Sequence, residues 1–367
     1  MCIRDRLDPW QKRKLDEDNR VEQERLREIY AGKNKKPVAS YAEALDRRYH
    51  VDFKKEDIAI PSFLGTKTLE DFDLEQVRRY IDWTFFFTTW ELKGKYPQIL
   101  ESPTYGEAAR ELYEHGNELL DEIITKGWLK ANAVYGFWPA ASENNDVVLF
   151  EDVDRKNELA RFPMLRQQHQ KGRDAPCRSL ADFVAPRDGA LVDYVGAFAV
   201  TAGIGADEIA ARFERNQDDY NAIMVKALAD RCAEAFAELL HARVRSEWGY
   251  GAHEDLRNED LIAERYRGIR PAFGYPACPD HTEKGKLFDV LDAPRIGVQL
   301  TESFAMTPAA SVSGMYFAHP EAQYFTIGRV TRDQIKDYAE RKGMTVAEVE
   351  KWLRPNLAYD ADRTAAA

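Results

Sequence analysis

The chain has 367 residues, of which 44% are hydrophobic and 11% aromatic. This supplies enough apolar material for a large core and roughly two average domains, and it excludes a collagen-like, disulfide-dominated or wholly disordered chain. Lysine and arginine number 52 and aspartate and glutamate 63, so the formal charge of −11 argues against a protein that binds the phosphate backbone of nucleic acid.

The first part of the chain is polar. Residues 1–32 are dense in charges of both signs and carry only a thin apolar stripe, which predicts a solvated connecting helix. A Lys- and Pro-rich break follows, and the polar stretch to about residue 60 predicts a linker that wraps a domain. We therefore expect the start to be truncated, with another domain once preceding this chain.

From residue 74 onward, predicted helices and strands mix without the regular alternation of a doubly wound sheet. Strands are predicted at 132–138, 147–153, 191–201, 297–303, 311–319 and 323–330. Helices are predicted near 74–82, 105–125, 154–169, 206–215, 218–247, 258–266, 332–342 and 345–353. Three strands before a final helical pair favour an α+β fold with an antiparallel sheet. Capping boxes at Thr331/Gln334 and Thr345/Glu348 support the last two helices.

Membrane spans and a disulfide framework are both disfavoured. The longest apolar run, 194–206, is short of the ~20 residues that a span requires, and no apolar segment follows the charged N-terminus as in a secretory signal. The four cysteines form no C-x-x-C pair, which fits a reducing cytosol. The sequence thus predicts a cytoplasmic protein with neither nucleic acid nor membrane as a partner.

The segment 268–279 is the least ordinary stretch of the chain. Its three prolines and two glycines predict an extended backbone whose N–H and C=O groups are free for something other than a sheet. Arg270 could bind a carboxylate, and Gly274 would let a flat ligand approach. The alternative is a rigid surface turn with Arg270 in a salt bridge.

Two weaker motifs have structural interpretations. The glycines at 203 and 205 follow a strand and open a helix, but a third glycine is missing, so we predict a strand-to-helix turn with Asp207 as the N-cap. Cys278 and His281 have a C-x-x-H spacing, but structural zinc needs four ligands and no second pair stands nearby. No metal site is predicted.

Acidic side chains offer a third candidate site. On the helix 218–247, Asp230, Glu234 and His241 form a stripe beside an apolar one. Such stripes are usually solvated, but a carboxylate facing a cleft would suit an ammonium or a sulfonium. Asp82 lies in the aromatic segment 80–87, where a buried acid needs a partner, either structural or a ligand.

Taken together, these segments resemble the C-terminal reactivation domain of cobalamin-dependent methionine synthase, in order and without large gaps from about residue 60 to 361. The segments that carry the resemblance are YIDWTFFFTTWELKGKYP at 80–97, LADFVAPRDG at 180–189, DYVGAFAVTAG at 193–203, DDYNAIMVKALADRCAEAFAE at 218–238, GIRPAFGYPACPDHTEK at 268–284, LTESFAMTPAASVSGMYFAHP at 300–320, and RDQIKDYAERKGM with WLRPNLAYD near the end. The resemblance implies a single C-shaped α+β domain, with a twisted antiparallel sheet surrounded by helices.

The resemblance also implies a domain division and a function. Residues 1–59 would be the linker that follows a cobalamin domain, 60–361 the reactivation domain and 362–367 a tail. No D-x-H-x-x-G cobalamin motif is present, so we expect a fragment of the long enzyme or a free-standing subunit. The implied function is to bind S-adenosylmethionine and present its methyl for reductive methylation of cob(II)alamin, held by a partner cobalamin domain in cis or in trans, with a flavodoxin-type electron donor.

The ligand contacts of the family, transferred by the resemblance, fall on Asp82, Glu234, Glu264, Arg270, Ala272, Gly274, Tyr275, Tyr324 and Phe325. Arg270 would pair with the methionine carboxylate, the acids would hold the amino group, ribose or sulfonium, and the 271–275 backbone would meet the adenine edge. No residue is implied as a general acid or base. Phe273 stands where many relatives have proline, which predicts a less rigid loop.

Two rival functions belong to other classes. The chain could be a docking and regulatory module for a cobalamin domain and flavodoxin without useful S-adenosylmethionine affinity, although retention of Asp82, Glu234, Arg270 and Tyr324 argues against it. It could also be an ordinary methyltransferase with its own acceptor, which would require a complete glycine-rich loop.

Overall fold

A mixed sheet-and-helix architecture is present in the computed structural model, which describes residues 9–33, 38–169, 175–252, 254, 256, 260–261 and 263–361. The helices are α1 (Pro9–Lys33), α2 (Tyr41–Asp46), α3 (Leu74–Arg78), α4 (Trp83–Thr89), α5 (Gly106–Lys126), α6 (Ala206–Arg215), α7 (Asp219–Glu247), α8 (Glu283–Leu291), α9 (Arg332–Lys342) and α10 (Val346–Trp352). The strands are β1 (Gly65–Leu69), β2 (Lys130–Glu143), β3 (Asp146–Phe150), β4 (Glu158–Pro163), β5 (Asp193–Ile204), β6 (Gln299–Leu300), β7 (Met306–Thr307) and β8 (Ser311–Phe317).

The main sheet has the strand order β4-β3-β2-β5-β8, with β1 also beside β2. Every pairing in it is antiparallel. The 14-residue strand β2 pairs with β5 along one side, while its other side pairs first with β1 and then with β3. The predicted α+β class with an antiparallel sheet is therefore confirmed.

Both faces of this sheet are buried, which explains why its central strands read as continuous apolar runs. Along β5, Phe198 and Val200 belong to the core on the side of α7, whereas Ala197 and Ala199 belong to the core on the side of α8. This alternation is the period of two that a strand imposes on its side chains. The helix α7 is buried over most of its length and forms one wall of the functional cavity described below.

Most long elements match their predictions, but one predicted helix, two predicted strands and one predicted N-cap do not. The strand-to-helix turn after β5 is confirmed, but its N-cap is Gly205, with φ of 94°, and not Asp207. The predicted helix at 154–169 is wrong, because 158–163 forms β4 in a hairpin with β3. The predicted strand at 323–330 is also wrong, since only Val330 makes a bridge there, and 297–303 contains just the two residues of β6. The predicted helix at 258–266 lies partly outside the described residues.

One of the two predicted capping boxes is confirmed. Thr345 accepts a hydrogen bond from the amide of Glu348, whose carboxylate accepts from the amide of Thr345. Thr331 has no such partner, because the side chain of Gln334 is buried and donates instead to the carbonyl of Arg166. Tertiary packing thus overrides the local motif at the start of α9.

Three cysteines in the described part of the chain are free and buried, namely Cys177, Cys232 and Cys278. Among the described residues, no helix is both long enough and apolar enough to cross a membrane.

Candidate functional site

A cavity of about 800 Å³ opens between α7, the start of α4, the loop 270–277 and the segment 324–326. These four parts of the chain are far apart in the sequence, and the packing of α7 on β5 and β8 brings them together. All but Gly274 of the sequence-predicted contacts line the cavity: Asp82, Glu234, Glu264, Arg270, Ala272, Tyr275, Tyr324 and Phe325.

The start of the proline-rich loop is paired with the sheet. Ile269 and Phe317 each donate an amide hydrogen bond to the carbonyl of the other, and Met315 donates to the carbonyl of Pro271, all at 3.0 Å. The prediction of free backbone groups is therefore wrong at this end of the segment. Because this backbone continues the edge of β8, the position of Arg270 is fixed from both sides.

The rest of the loop is a compact turn that leaves the sheet. Tyr275 donates its amide to Ala272 at 3.1 Å, and Gly274 donates to Cys278 at 2.8 Å. Phe273 is buried and stacks on Phe162, with ring centroids 5.7 Å apart. This packing anchors the loop at Phe273.

Arg270 lies in the wall of the cavity and forms an ion pair. Its Nη2 donates to Oε2 of Glu238 at 2.7 Å, and its backbone amide donates to the hydroxyl of Tyr324 at 3.0 Å. Burial works against the charge of Arg270, but the Glu238 carboxylate and the neighbouring tyrosine oxygens together outweigh it and raise the pKa of the guanidinium. The Nε group is buried and has no hydrogen-bond partner in the described structure.

The three predicted acids reach the cavity from different elements. Asp82 is half-buried and caps α4, where its carboxylate accepts from the amide of Thr84 at 2.8 Å. Glu234 lies on α7, and burial raises its pKa despite the nearby Arg270 and Arg231. Glu264 stands at an exposed turn with φ of 54°. Asp82 thus already has the structural partner that a sheltered acid needs, and it still faces the cavity.

Sequence reasoning missed two charged residues of the lining, Glu238 and Arg231. Glu238 is one helical turn beyond Glu234 on α7, so the i, i+4 spacing could have placed both carboxylates on one face. With them, four carboxylates (Asp82, Glu234, Glu238 and Glu264) face two guanidiniums (Arg231 and Arg270). The cavity is therefore suited to a ligand that carries positive charge together with one carboxylate.

The C-x-x-H pair has no metal-like geometry. The thiol of Cys278 donates to the carbonyl of Ala272 at 3.0 Å, and the ring of His281 lies 3.1 Å from Nζ of Lys284. Within the part of the chain that the structure describes, no group of three potential metal ligands is found.

Comparison with known proteins identifies the family. The family model of the activation domain of vitamin B12-dependent methionine synthase matches residues 73–343, which is more than half of the chain. The chain belongs to this activation-domain family. Among solved structures, it is similar to the crystal structure of the MetH reactivation domain bound to AdoHcy, with 48% sequence identity and a TM-score of 0.85. That match covers 88% of this chain and 100% of the other.

The family match covers most of the helices and strands that form the fold. It extends over every strand of the main sheet except β1, over α7 and over the proline-rich loop, all of which lie within residues 73–343. The resemblance seen in the sequence and the α+β architecture are both confirmed by it.

Proposed function

We propose that this chain binds S-adenosylmethionine in the 800 Å³ cavity and presents its methyl group for the reductive methylation of cob(II)alamin. The observation that carries the proposal is the charge pattern of the cavity, in which Arg270 and four carboxylates line one space. S-adenosylmethionine carries a sulfonium, an ammonium and one carboxylate, so its charges complement this lining. The similar reactivation domain with bound AdoHcy supports the same ligand class.

The proposed contacts follow the chemistry of each group. Arg270 binds the ligand carboxylate through its guanidinium, because a fork of N–H donors matches a carboxylate. Asp82, Glu234 and Glu264 accept from the amino group and ribose and stabilise the sulfonium. The loop residues Ala272 and Tyr275 face the adenine beside Tyr324 and Phe325, and Gly274 forms the turn that holds them there.

For this reaction the chain has to orient the bound S-adenosylmethionine and exclude water from the cavity. A reductant supplies one electron and the sulfonium supplies a methyl cation equivalent, which together convert cob(II)alamin to methylcobalamin and release neutral S-adenosylhomocysteine. The S–CH₃ bond breaks as the Co–C bond forms, and no proton is transferred. No side chain therefore has to act as an acid or a base, and the contribution of the cavity is alignment.

Two partners follow from this function. The corrinoid is supplied by a cobalamin-binding domain, either in a longer chain or as a separate subunit, and the electron by a flavodoxin-type donor. Family membership supports the first partner, because an activation domain of a B12-dependent enzyme acts on its cobalamin. The methyltransferase activity of the assembly would thus depend on both partners.

The docking module without useful ligand affinity is the second candidate. The observation that favours it is the ion pair between Arg270 and Glu238, which satisfies part of the arginine without any ligand. The two candidates differ in a single measurable property, the affinity of the purified chain for S-adenosylmethionine.

Calorimetric titration of the purified chain with S-adenosylmethionine tests the proposal. Arg270→Ala should weaken binding at least ~30-fold, because it removes a charge-assisted contact of about 2–3 kcal/mol. Arg243→Ala is the matched control, since Arg243 is on α7 but does not line the cavity. If loss of the Arg270–Glu238 ion pair impairs folding, Arg270→Lys gives the same test. It keeps the positive charge but loses the paired N–H donors of the guanidinium, so binding should again weaken. Absence of binding by the unmodified chain would favour the docking module.

A further inference from the structure

We infer that Glu238 is a positioning residue, which holds the guanidinium of Arg270 in the orientation that meets the carboxylate of the ligand. The inference rests on the proposed function and deepens it, because it assigns a role to a residue that is not among the ligand contacts transferred by the resemblance. It does not make Glu238 a ligand contact.

The backbone around Arg270 is fixed, so the remaining freedom of this residue is in its side chain. Ile269 and Pro271, its two chain neighbours, are both hydrogen-bonded to β8, and its own amide donates to Tyr324. A free arginine side chain has many rotamers, and their loss on binding reduces affinity. A contact at the end of the Arg270 side chain would restrict its rotamers in the free protein. Less conformational entropy would then be lost when the ligand binds.

Glu238 supplies such a contact. Its Oε2 accepts from Nη2 of Arg270 at 2.7 Å, and the two side chains are only 11% and 20% exposed. Within the described residues it is the sole ion-pair partner of Arg270. Because Glu238 stands in the middle of the 29-residue helix α7, its own backbone is held by the core of the domain.

Among the residues that the structure describes, no cation other than Arg270 forms an ion pair with Glu238. His241, one turn further along α7, is fully buried between the rings of Tyr266 and Tyr316, and burial lowers its pKa well below the usual value, so it is neutral. Arg245, a further turn away, is paired with Glu254 at 2.8 Å. These two neighbouring basic side chains on α7 thus leave the ion pair between Glu238 and Arg270 undisturbed.

The pair also leaves hydrogen-bonding capacity unused. Nε of Arg270 and Oε1 of Glu238 are buried, and neither has a partner within the described structure. Unsatisfied buried groups are costly, and a guanidinium has five donors, so Arg270 can donate to Glu238 and to a second carboxylate at the same time. This arrangement indicates that Arg270 is preorganised for a ligand. Its ion pair with Glu238 is one contact, and the ligand carboxylate would be the second.

Comparing the affinities for two ligands distinguishes a positioning role of Glu238 from a purely structural role. S-adenosylhomocysteine carries the carboxylate that Arg270 would bind, whereas 5′-methylthioadenosine lacks the whole amino acid part and shares only the thioether and nucleoside. Glu238→Ala should weaken S-adenosylhomocysteine about tenfold, equivalent to ~1.4 kcal/mol, and leave 5′-methylthioadenosine within about twofold. Glu238→Gln keeps an oxygen acceptor for Nη2 and should restore most of the affinity. Glu247→Gln, an acid on α7 outside the cavity, is the control.

A double-mutant cycle completes the test. In an Arg270→Ala background, Glu238→Ala should cause no further loss, because a positioning residue acts only through its partner. If Glu238→Ala does not fold, Glu238→Asp, which keeps the charge but shortens the reach, should show the same selective loss. An unchanged or tighter affinity for S-adenosylhomocysteine, an equal loss for both ligands, or additive effects would overturn the inference. If the unmodified chain binds neither ligand, the proposed function fails, and the inference fails with it.

Discussion

Gly274 lies directly against the imidazole of His281 in the turn of the proline-rich loop. A Cβ built on residue 274 would be 2.2 Å from Cε1 of that ring, closer than real Cβ contacts allow. The residue also has φ of 95°, a conformation that side-chain-bearing residues rarely adopt. Both the space and the backbone therefore require glycine here. From the sequence, glycine at position 274 was expected to let a flat ligand approach. The structure gives a second reason for glycine here, which is its contact with His281 within the loop.

Replacing this glycine should damage the ligand site. Gly274→Ala is expected to cost about 1–2 kcal/mol from the left-handed backbone alone and to displace either His281 or the loop. S-adenosylhomocysteine binding, measured by calorimetry, should weaken at least ~10-fold, because the adjoining Tyr275 and Ala272 line the cavity.

Gly285→Ala provides the matched control for this change. Gly285 lies in α8, and an added Cβ would meet only Phe304 at an ordinary 3.5 Å. Alanine in a helix is favoured over glycine by up to about 1 kcal/mol, so this variant should bind normally and unfold at the same or a higher temperature. Normal ligand affinity in Gly274→Ala would show that the turn plays no part in binding.

The charge of Glu234 should distinguish S-adenosylmethionine from S-adenosylhomocysteine. Only the first ligand has a sulfonium, so Glu234→Gln should weaken it by on the order of tenfold more than the second. Burial raises the pKa of Glu234, so in the unmodified chain this preference should decline on acidification at a pH above the value of about 4.3 for an ordinary glutamate. The decline should be smaller in Glu234→Gln. Equal weakening of both ligands would mean that Glu234 meets the amino group or the ribose.

Long periodic elements of the fold could be predicted from the sequence, whereas elements defined by their partners could not. The helix α7 and the strand β5 have strong apolar patterns, and their ends were predicted to within three residues, whereas β2 extends five residues beyond its predicted end. The segment 154–169 is mostly polar, but Phe162 packs in the core as part of a hairpin with β3. The hairpin turn places Arg155 at φ of 55°, a conformation that an arginine does not predict.

The candidate site also contains residues that could be predicted from the sequence and one, Glu238, that could not. Arg270, Tyr324 and the acids could be named because a family resemblance supplied them, and the structure brings them to one cavity. Glu238 was missed because it stands among buried apolar residues of α7, where the pattern predicts core. Its distance to Arg270 depends on the packing of a helix against a loop 32 residues away, which periodicity does not encode.

Asp193 should make stability depend on pH in a predictable direction. It stands at the start of β5, and burial raises its pKa to about 6, although the amides of Ala185 and Tyr194 donate to its carboxylate. In the unfolded chain the group titrates near about 3.9, so between these values the folded state holds more protons. Stability from this group is thus full below the unfolded pKa and declines as pH rises through 6.

The test compares the unmodified chain with Asp193→Asn, because the difference cancels the other titrating groups. The free energy of unfolding of the unmodified chain, relative to that of the variant, should fall by about 1.4 kcal/mol between roughly pH 5 and 7.5. Urea unfolding at several pH values measures it. A difference that stays constant with pH would show that the carboxyl group titrates normally in the fold.

The last prediction concerns the partners. The proposed function needs a corrinoid as the methyl acceptor, so we expect methylation when a cobalamin-loaded domain is added in trans. The chain alone should bind S-adenosylmethionine and turn nothing over. With the cobalamin domain and a reductant, the methylcobalamin spectrum should appear. Covalent linkage raises the local concentration of one module at another to roughly millimolar, so separated proteins should need high concentrations.

Two variants tie this activity to the cavity. Arg270→Ala should slow methylation several-fold at a ligand concentration about ten times the Kd of the unmodified chain, and Arg243→Ala should not, because of these two arginines only Arg270 lines the cavity. The rate should rise with the concentration of the cobalamin domain, since encounter between two separate proteins limits the reaction. Transfer of the methyl group to a small molecule or a peptide, with no corrinoid present, would contradict the proposed function and favour an ordinary methyltransferase.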